Sequence, residues 1–299
     1  MIKLLTPLHW TDYELIDSGN FEKLERFGNQ VLTRPEPQAV WDKSLPEAEW
    51  LNRSQAIFRK EKNDPEKGKW ILNKGCKEQW QIGYSYKLMN LKMRLGLTSF
   101  RHIGVFPEQG DNWNYIFDRI GEMKTLRPKV LNLFAYTGGA SLAACAAGAE
   151  VVHVDSVKPV ITWARENMEI SSLDGIRWIV EDALKFVKRE ARRGTKYQGI
   201  ILDPPAYGRG ADGEKWVLEE NINEMIKLCS ELLDQNENFL IMSLYSMGFS
   251  SLIGENLIRL AFGEKESMET GELYLKDGFS KKLPLGTVVR FCNMDESIV

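Results

Sequence analysis

Four short clusters, each lying at the end of an apolar run, hold the residues that could do chemistry. The run beginning at Lys129 ends in Asn132-Leu-Phe134-Ala-Tyr136-Thr137-Gly138-Gly139-Ala-Ser141. Its glycines permit a tight turn, Ser141 can cap a following helix, and the amides at that helix start suit a ligand carboxylate. The next run, EVVHVD, ends at Asp155, sixteen residues after Gly139. An acid there can accept both ribose hydroxyl hydrogens of an adenosine. IRWIVED ends in Glu181-Asp182, a carboxylate to which the exocyclic amine of adenine could donate. YQGIILDPP leads into Asp203-Pro204-Pro205-Ala206-Tyr207-Gly208, a rigid loop where a transferred group and its acceptor would meet. Singly, each cluster reads equally well as a plain turn or a helix cap; their order is what carries weight. A nicotinamide dinucleotide would call for G-x-G-x-x-G at the first turn, and the chain offers Ala135-Tyr136-Thr137-Gly138-Gly139-Ala140 instead.

The elements that must position these residues follow from the hydrophobic pattern. From about residue 129, strand-like runs alternate with helical stretches: KVLNLFAY then SLAACAAGA, EVVHVD then KPVITWARENMEI, and IRWIVED then ALKFVKREARR. YQGIILDPP, a helix over Trp216 to Leu233, NFLIMSLYS and a helix over 250–262 continue the series. Such alternation predicts a parallel sheet joined by right-handed crossovers, with ligands bound beyond the carboxyl ends of the strands. GELYLKD and LGTVVRFCN, separated by a Gly/Lys/Pro-rich break, predict a terminal hairpin that adds an antiparallel strand. Residues 10–95 read differently, as short alternating segments (YELIDSG, KLERFG, QVLTRPE, GKWILN, QWQIGYSYKL) between turn-rich breaks. Their tryptophans, Trp10, Trp41, Trp50, Trp70 and Trp80, are expected to supply core more than ligand stacking. The expectation is a β-rich accessory domain over 1–100, a connecting segment over 101–128, and an α/β domain over 129–299 that carries the four clusters.

Composition narrows the classes. The chain has 299 residues, 43% hydrophobic and 27% charged, with net charge −3, which argues for two domains and against nucleic-acid binding by bulk charge alone. Cys76, Cys145, Cys229 and Cys292 form no C-x-x-C pair, so reduced, mostly buried thiols are expected and neither a disulfide framework nor a zinc site. The N-terminus has no signal-like apolar region, and no uncharged apolar run approaches ~18 residues. A soluble, cytoplasmic protein without membrane association is expected; oligomeric state is not written in the sequence.

NLFAYTGGAS, HVDSVK, EDALKF and DPPAYGRG resemble motifs I to IV of class I S-adenosylmethionine methyltransferases. Within that superfamily the forms F-x-Y-T-G-G-x-S and D-P-P-x-[FY] are most similar to the bacterial large-subunit ribosomal RNA methyltransferase I-like group. The segment Ile103-Gly104-Val-Phe106-Pro107-Glu108-Gln109 resembles that group's G-x-F-x-x-Q element, which packs against the cofactor. The resemblance covers about residues 100–293. It implies a doubly wound, mostly parallel, seven-stranded α/β sheet and S-adenosylmethionine as cofactor, with no metal required. It places Phe106, Gln109, Asn132, Phe134, Tyr136, Thr137, Gly138, Asp155, Asp182 and Asp203 around the cofactor. Tyr136 and Gly138 would line its methionine end, Asp155 the ribose and Asp182 the adenine. Asn132 stands where many members have an acid, and either hydrogen-bonds near the cofactor or is a structural strand-end residue. Asp203, Pro204, Pro205 and Tyr207 would form the catalytic loop.

The acceptor expected from these residues is a base in RNA, with a protein or small-molecule methyltransferase, or an inactive cofactor-binding module, as alternatives. Asp203 could orient or deprotonate an acceptor amine, the Pro204 carbonyl could help bind it, and Tyr207 could stack on a base or serve only loop packing. Lys185, Lys188, Arg189, Arg192, Arg193 and Lys196 fall within twelve residues, opposed locally by Glu190. A solvated helix face is the preferred account of that run, with RNA contact the other. Arg53 to Lys77 holds eight Lys/Arg against three acids, interleaved with Phe58 and Trp70, a pattern compatible with RNA contact. Cytosine-C5 enzymes of the resembling group need a rim cysteine after the fifth strand, where this chain reads Ile241-Met242-Ser243-Leu244-Tyr245-Ser246. Methylation at a nitrogen or another intrinsically nucleophilic atom, without an enzyme-linked intermediate, is therefore expected.

Overall fold

The structure, a computed structural model, describes residues 1–61, 64–210, 213–245 and 248–294. In chain order its elements are β1 (Lys3–Leu5), β2 (Tyr13–Gly19), β3 (Glu22–Phe27), β4 (Gln30–Pro35), α1 (Glu47–Arg53), β5 (Ala56–Glu61), β6 (Asp64–Leu72), β7 (Gln79–Tyr86) and β8 (Met89–Gly96). After a 3-10 turn at Pro107–Gln109 come α2 (Gly110–Glu122), β9 (Lys129–Leu133), α3 (Gly139–Ala146), β10 (Glu150–Asp155), α4 (Lys158–Ile170), β11 (Ile176–Val180), α5 (Ala183–Arg193) and β12 (Gly199–Leu202). β13 (Tyr207–Arg209), β14 (Lys215–Val217), α6 (Leu218–Leu232), β15 (Asn238–Leu244), α7 (Ser251–Phe262), β16 (Glu269–Lys276) and β17 (Lys282–Asn293) complete the chain. Two compact units result: Met1–Leu5, Asp111–Leu273 and Gly286–Val299 form one, and Thr6–Gly110 with Tyr274–Leu285 the other. The units are interleaved in sequence, where the hydrophobic pattern suggested successive blocks.

The larger unit is the doubly wound sheet. Its strands run in the order β1-β16-β17-β15-β12-β9-β10-β11. β15, β12, β9, β10 and β11 pair in parallel, and β17 pairs antiparallel to β15. Lys3–Leu5, which the pattern left unassigned, pairs in parallel with β16 and makes the sheet eight-stranded. Strand alternation divides labour between the two faces. Leu131, Leu133, Ile200, Leu202, Leu240 and Met242 pack with apolar side chains of α5, α6 and α7 in one core. The intervening Asn132 and Ser243 meet α3 and α2 through hydrogen bonds. α5 spans the eleven residues its apolar spacing indicated, because Asp182 accepts the Lys185 amide at its start and Gly194 turns left-handed (φ 65°) at its end.

The smaller unit holds a five-stranded sheet, β2-β3-β4-β5-β6, and the β7-β8 hairpin. In β8, Met89, Leu91, Met93 and Leu95 are buried while Asn90 and Lys92 are exposed, the period-2 pattern of a half-buried strand. Asp17, fully buried, accepts hydrogens from the Leu45 amide (2.8 Å), Trp50 Nε1 (3.0 Å) and Lys281 Nζ (2.8 Å), which fastens the 274–285 segment to β2. Of the five tryptophans, Trp50 is fully buried, whereas Trp10, Trp41, Trp70 and Trp80 are half-buried. Core packing by all five was too simple: Trp10, Trp41 and Trp70 keep their indole N–H at the edge of the apolar layer, bonded to backbone carbonyls. Among the described residues, no helix is long and apolar enough to cross a membrane.

Candidate active site

The carboxyl ends of β9, β10, β11 and β12 are where the four sequence clusters fall. After β9 the backbone turns through Phe134 (φ 56°), Tyr136 (φ 49°) and Gly138 (φ 91°). Left-handed conformations at two non-glycine residues cost energy and persist only where surroundings hold them. Those surroundings are identifiable. The Ala135 amide donates to the Val154 carbonyl (3.1 Å), the Tyr136 amide to Asp155 Oδ2 (3.0 Å), and Asn167 Nδ2 to the Thr137 carbonyl (3.0 Å). α3 then starts at Gly139 with no side-chain cap. Ser141 does not cap this helix: it accepts from Asn132 Nδ2 (2.8 Å) and bonds His153 Nδ1 (3.0 Å) in a buried group. Burial holds His153 neutral, with its pKa down at about 3. Gly139 is dictated by Trp113 of α2, because a Cβ there would lie 2.5 Å from Trp113 Cζ2.

Asp155 accepts the Tyr136 amide on one oxygen and the Val157 amide (2.9 Å) on the other, and each oxygen keeps a second lone pair. Burial raises its pKa against those opposing amide bonds. Asp182 gives Oδ1 to the α5 cap (2.9 Å), leaving its other oxygen for a ligand. Val157 and Val180, beside these acids in sequence, are 45% and 46% exposed.

At the end of β12, Asp203 is half-buried, and burial pushes its carboxyl up to about 7. Pro204 is buried, while Pro205 and Tyr207 are exposed. The helix expected from Trp216 begins only at Leu218, since residues 215–217 form β14 and pair with β13. Trp216 is 3% exposed, donates Nε1 to the Pro205 carbonyl (2.7 Å) and sets its ring 4.7 Å from Phe134. One indole thereby ties the Asp203 loop to the β9 loop, a link no local motif reveals. At the end of β15, Asn112 of α2 donates to Ser243 Oγ (3.2 Å) and accepts from Arg290 (3.1 Å). Ser246 lies outside the described residues. Phe106 and Gln109 lie in the smaller unit, both half-buried, with Phe106 5.2 Å from His102 ring to ring.

The cationic run on α5 is largely neutralised, from neighbouring elements and from Glu190 of the helix itself. Lys185 pairs with Glu214 (3.2 Å), Lys188 with Glu224 (2.8 Å), Arg189 with Glu181, and Arg193 with Glu190 (3.0 Å). Sequence could not place Glu214 and Glu224 beside it. In the 53–77 stretch, Arg53 and Arg59 pair with Glu49 and Glu22 (2.9 and 2.8 Å), Lys69 and Lys77 are exposed, and Lys62 lies outside the described residues. All four cysteines are free, and only Cys229, whose thiol burial pushes up to about 12, is buried. Cys76, Cys145 and Cys292 are half-buried, a correction to the expected mostly buried set: α3 and β17 place Cys145 and Cys292 at partly open positions.

A model of the S-adenosylmethionine-dependent methyltransferase family matches residues 51–256. The chain is 32% identical over 149 residues to the ribosomal RNA large subunit methyltransferase K/L of Shewanella frigidimarina, which covers 48% of this chain and 20% of the relative. It is 32% identical over 120 residues to the ribosomal RNA large subunit methyltransferase I of Aeromonas salmonicida, covering 39% and 29% respectively. The chain thus spans less than a third of the length of these curated relatives. Among solved structures it is similar to a SAM-dependent methyltransferase from Agrobacterium tumefaciens, with 37% identity, 97% of this chain and 93% of that chain covered, and a TM-score of 0.87.

Proposed function

We propose, on the premise that this chain belongs to the S-adenosylmethionine-dependent methyltransferase family, that it methylates a nitrogen, or another intrinsically nucleophilic atom, of an RNA base without a cysteine-linked intermediate. The residues at the strand ends fit the family's cofactor. The uncapped start of α3 offers amides to a carboxylate, the spare lone pairs of Asp155 suit two ribose hydroxyls, and Asp182 suits an adenine amine. Phe134, Tyr136, Thr137 and Gly138 would border the methionine end, with Asn132 holding the loop from beneath through Ser141. Phe106 and Gln109 are carried as cofactor contacts by their resemblance to G-x-F-x-x-Q. Bound there, S-adenosylmethionine supplies an electrophilic methyl group on a sulfonium centre.

The observation that carries the reading is Asp203, a carboxylate with its pKa near neutrality at the mouth of a proline-stiffened loop. Such a group accepts a hydrogen from an acceptor amine and takes the proton as the new N–C bond forms. Pro204 and Pro205 limit the loop's freedom, so the amine is held in line by geometry and not by covalent attachment. Tyr207, half exposed, gives a base a ring to stack on. The relatives named for ribosomal RNA support an RNA acceptor. At the β15 rim, Ser243, Leu244 and Tyr245 include no thiol, and serine is too weakly acidic to replace one. The test is incubation of enzyme and S-adenosylmethionine with acceptor RNA carrying 5-fluorocytosine. No denaturation-resistant adduct is expected; an adduct mapping to any cysteine contradicts the proposal.

A further inference from the structure

The hairpin that follows Asp203 has a feature that methyl transfer does not require. β13 and β14 place Arg209 directly opposite Lys215, and both are exposed. Like charges opposite each other on an antiparallel pair destabilise it, and strands of three residues have little with which to offset the repulsion. Among the described residues neither cation has an acidic partner. Glu214, adjacent in sequence, is ion-paired with Lys185 at 3.2 Å.

The rest of the hairpin holds this face in place. Alternation puts Gly208 and Trp216 on one side and Tyr207, Arg209 and Lys215 on the other. Trp216 anchors the inner side through the Pro205 carbonyl and the Phe134 ring. On the outer side, Arg209 Nε donates to the Tyr207 hydroxyl at 2.8 Å. That bond orients the guanidinium and leaves its two terminal nitrogens as a fork, the geometry that matches phosphate oxygens in pairs.

We propose that Tyr207, Arg209 and Lys215 form a phosphodiester clamp, which grips the RNA backbone beside the target nucleotide while the target base lies against the Tyr207 ring. The inference rests on the RNA reading of the Asp203 site. A fully extended chain spans at most about 3.5 Å per residue, so Tyr207 lies within about 14 Å of Asp203, a separation one or two nucleotides can bridge. The net charge of −3 makes a local cationic pair the means of holding a polyanion, and the repulsion between the two cations is relieved when a phosphate sits between them. An acceptor without an anionic group at this position would leave that repulsion unrelieved.

The experiment titrates the full-length protein with protein-free ribosomal RNA at several salt concentrations. Cofactor affinity by calorimetry and thermal midpoint serve as controls of fold. Arg209→Ala and Lys215→Ala are each expected to weaken RNA binding about 3- to 10-fold and to lower the slope of log K against log salt by about 0.7, with cofactor affinity unchanged. Lys215→Gln is expected to leave the thermal midpoint unchanged or raise it, because repulsion is removed. Tyr207→Phe keeps the ring but releases Arg209, and is expected to lose affinity in part. An unchanged slope in the Arg209/Lys215 double variant, while wild-type binding remains salt-dependent, overturns the clamp alone. Wild-type RNA binding indifferent to salt, or methyl label entering protein and not RNA, overturns the RNA reading together with the clamp.

Discussion

At the scale of single residues, the proposed function gives two carboxylates separable roles. Asp155 would hold ribose through charge-assisted hydrogen bonds, and losing two of them costs roughly 1.5 to 3 kcal/mol. Asp155→Ala is therefore expected to weaken S-adenosylmethionine binding at least about tenfold by calorimetry; unchanged affinity would remove Asp155 from the site. Burial raises the pKa of both acids, but at Asp155 backbone amide bonds oppose the rise, whereas at Asp203 it reaches about 7. The folded chain binds this proton more tightly than the unfolded chain, so the associated stability is fully present below the ordinary carboxylate pKa of about 4 and is lost as pH rises through about 7. Asp203→Asn is expected to lower kcat at least about 100-fold while raising the thermal midpoint at pH 8, a gain that disappears toward pH 4. In the wild type, kcat is expected to rise with pH through about 7. A loss of stability at pH 8 with turnover retained would contradict both roles. These acids were legible in sequence because each ends an apolar run. What Asp155 and Asp182 also do, satisfying the β9 loop and capping α5, depends on partners that tertiary structure brings near.

At the scale of elements, the sheet aligns the acids and the loops give them their surroundings. β10 and β11 carry Asp155 and Val180 in register, so the adjacent carboxyl ends proposed to face the ligand follow from parallel pairing alone. The helix runs at 158–170 and 183–193 were legible from their apolar spacing, since that signal is local. The β13-β14 hairpin was not, because residues 215–217 precede α6 without a break and take strand geometry only through β13 and Pro205. Gly139 illustrates the same limit: its motif indicates a turn, whereas Trp113 supplies the reason no side chain fits. Gly139→Ala is expected to displace Trp113 at a cost of about 1–3 kcal/mol, seen as a lower thermal midpoint and weaker cofactor binding. An unperturbed midpoint with unchanged affinity would show that Trp113 does not buttress the loop.

At the scale of the whole molecule, alternation of strands and helices was enough to indicate a doubly wound sheet, and the β patterning before residue 100 was enough to indicate a separate architecture. The attachment of 274–285 to the smaller unit was not readable, because it rests on Asp17, Ser18, Asp277 and Lys281, polar residues far apart in sequence. Charge was the least readable property, since the α5 run looks cationic until Glu214 and Glu224 are placed beside it. Methylation of an RNA base is tested most directly by mass spectrometry of ribosomal RNA nucleosides from cells with and without this gene. Cells lacking it are expected to lose one methylated nucleoside whose methyl group is on nitrogen or another intrinsically nucleophilic atom, restored by the wild-type gene and not by Asp203→Asn. Identical nucleoside profiles, or loss of a 5-methylpyrimidine, would contradict the account.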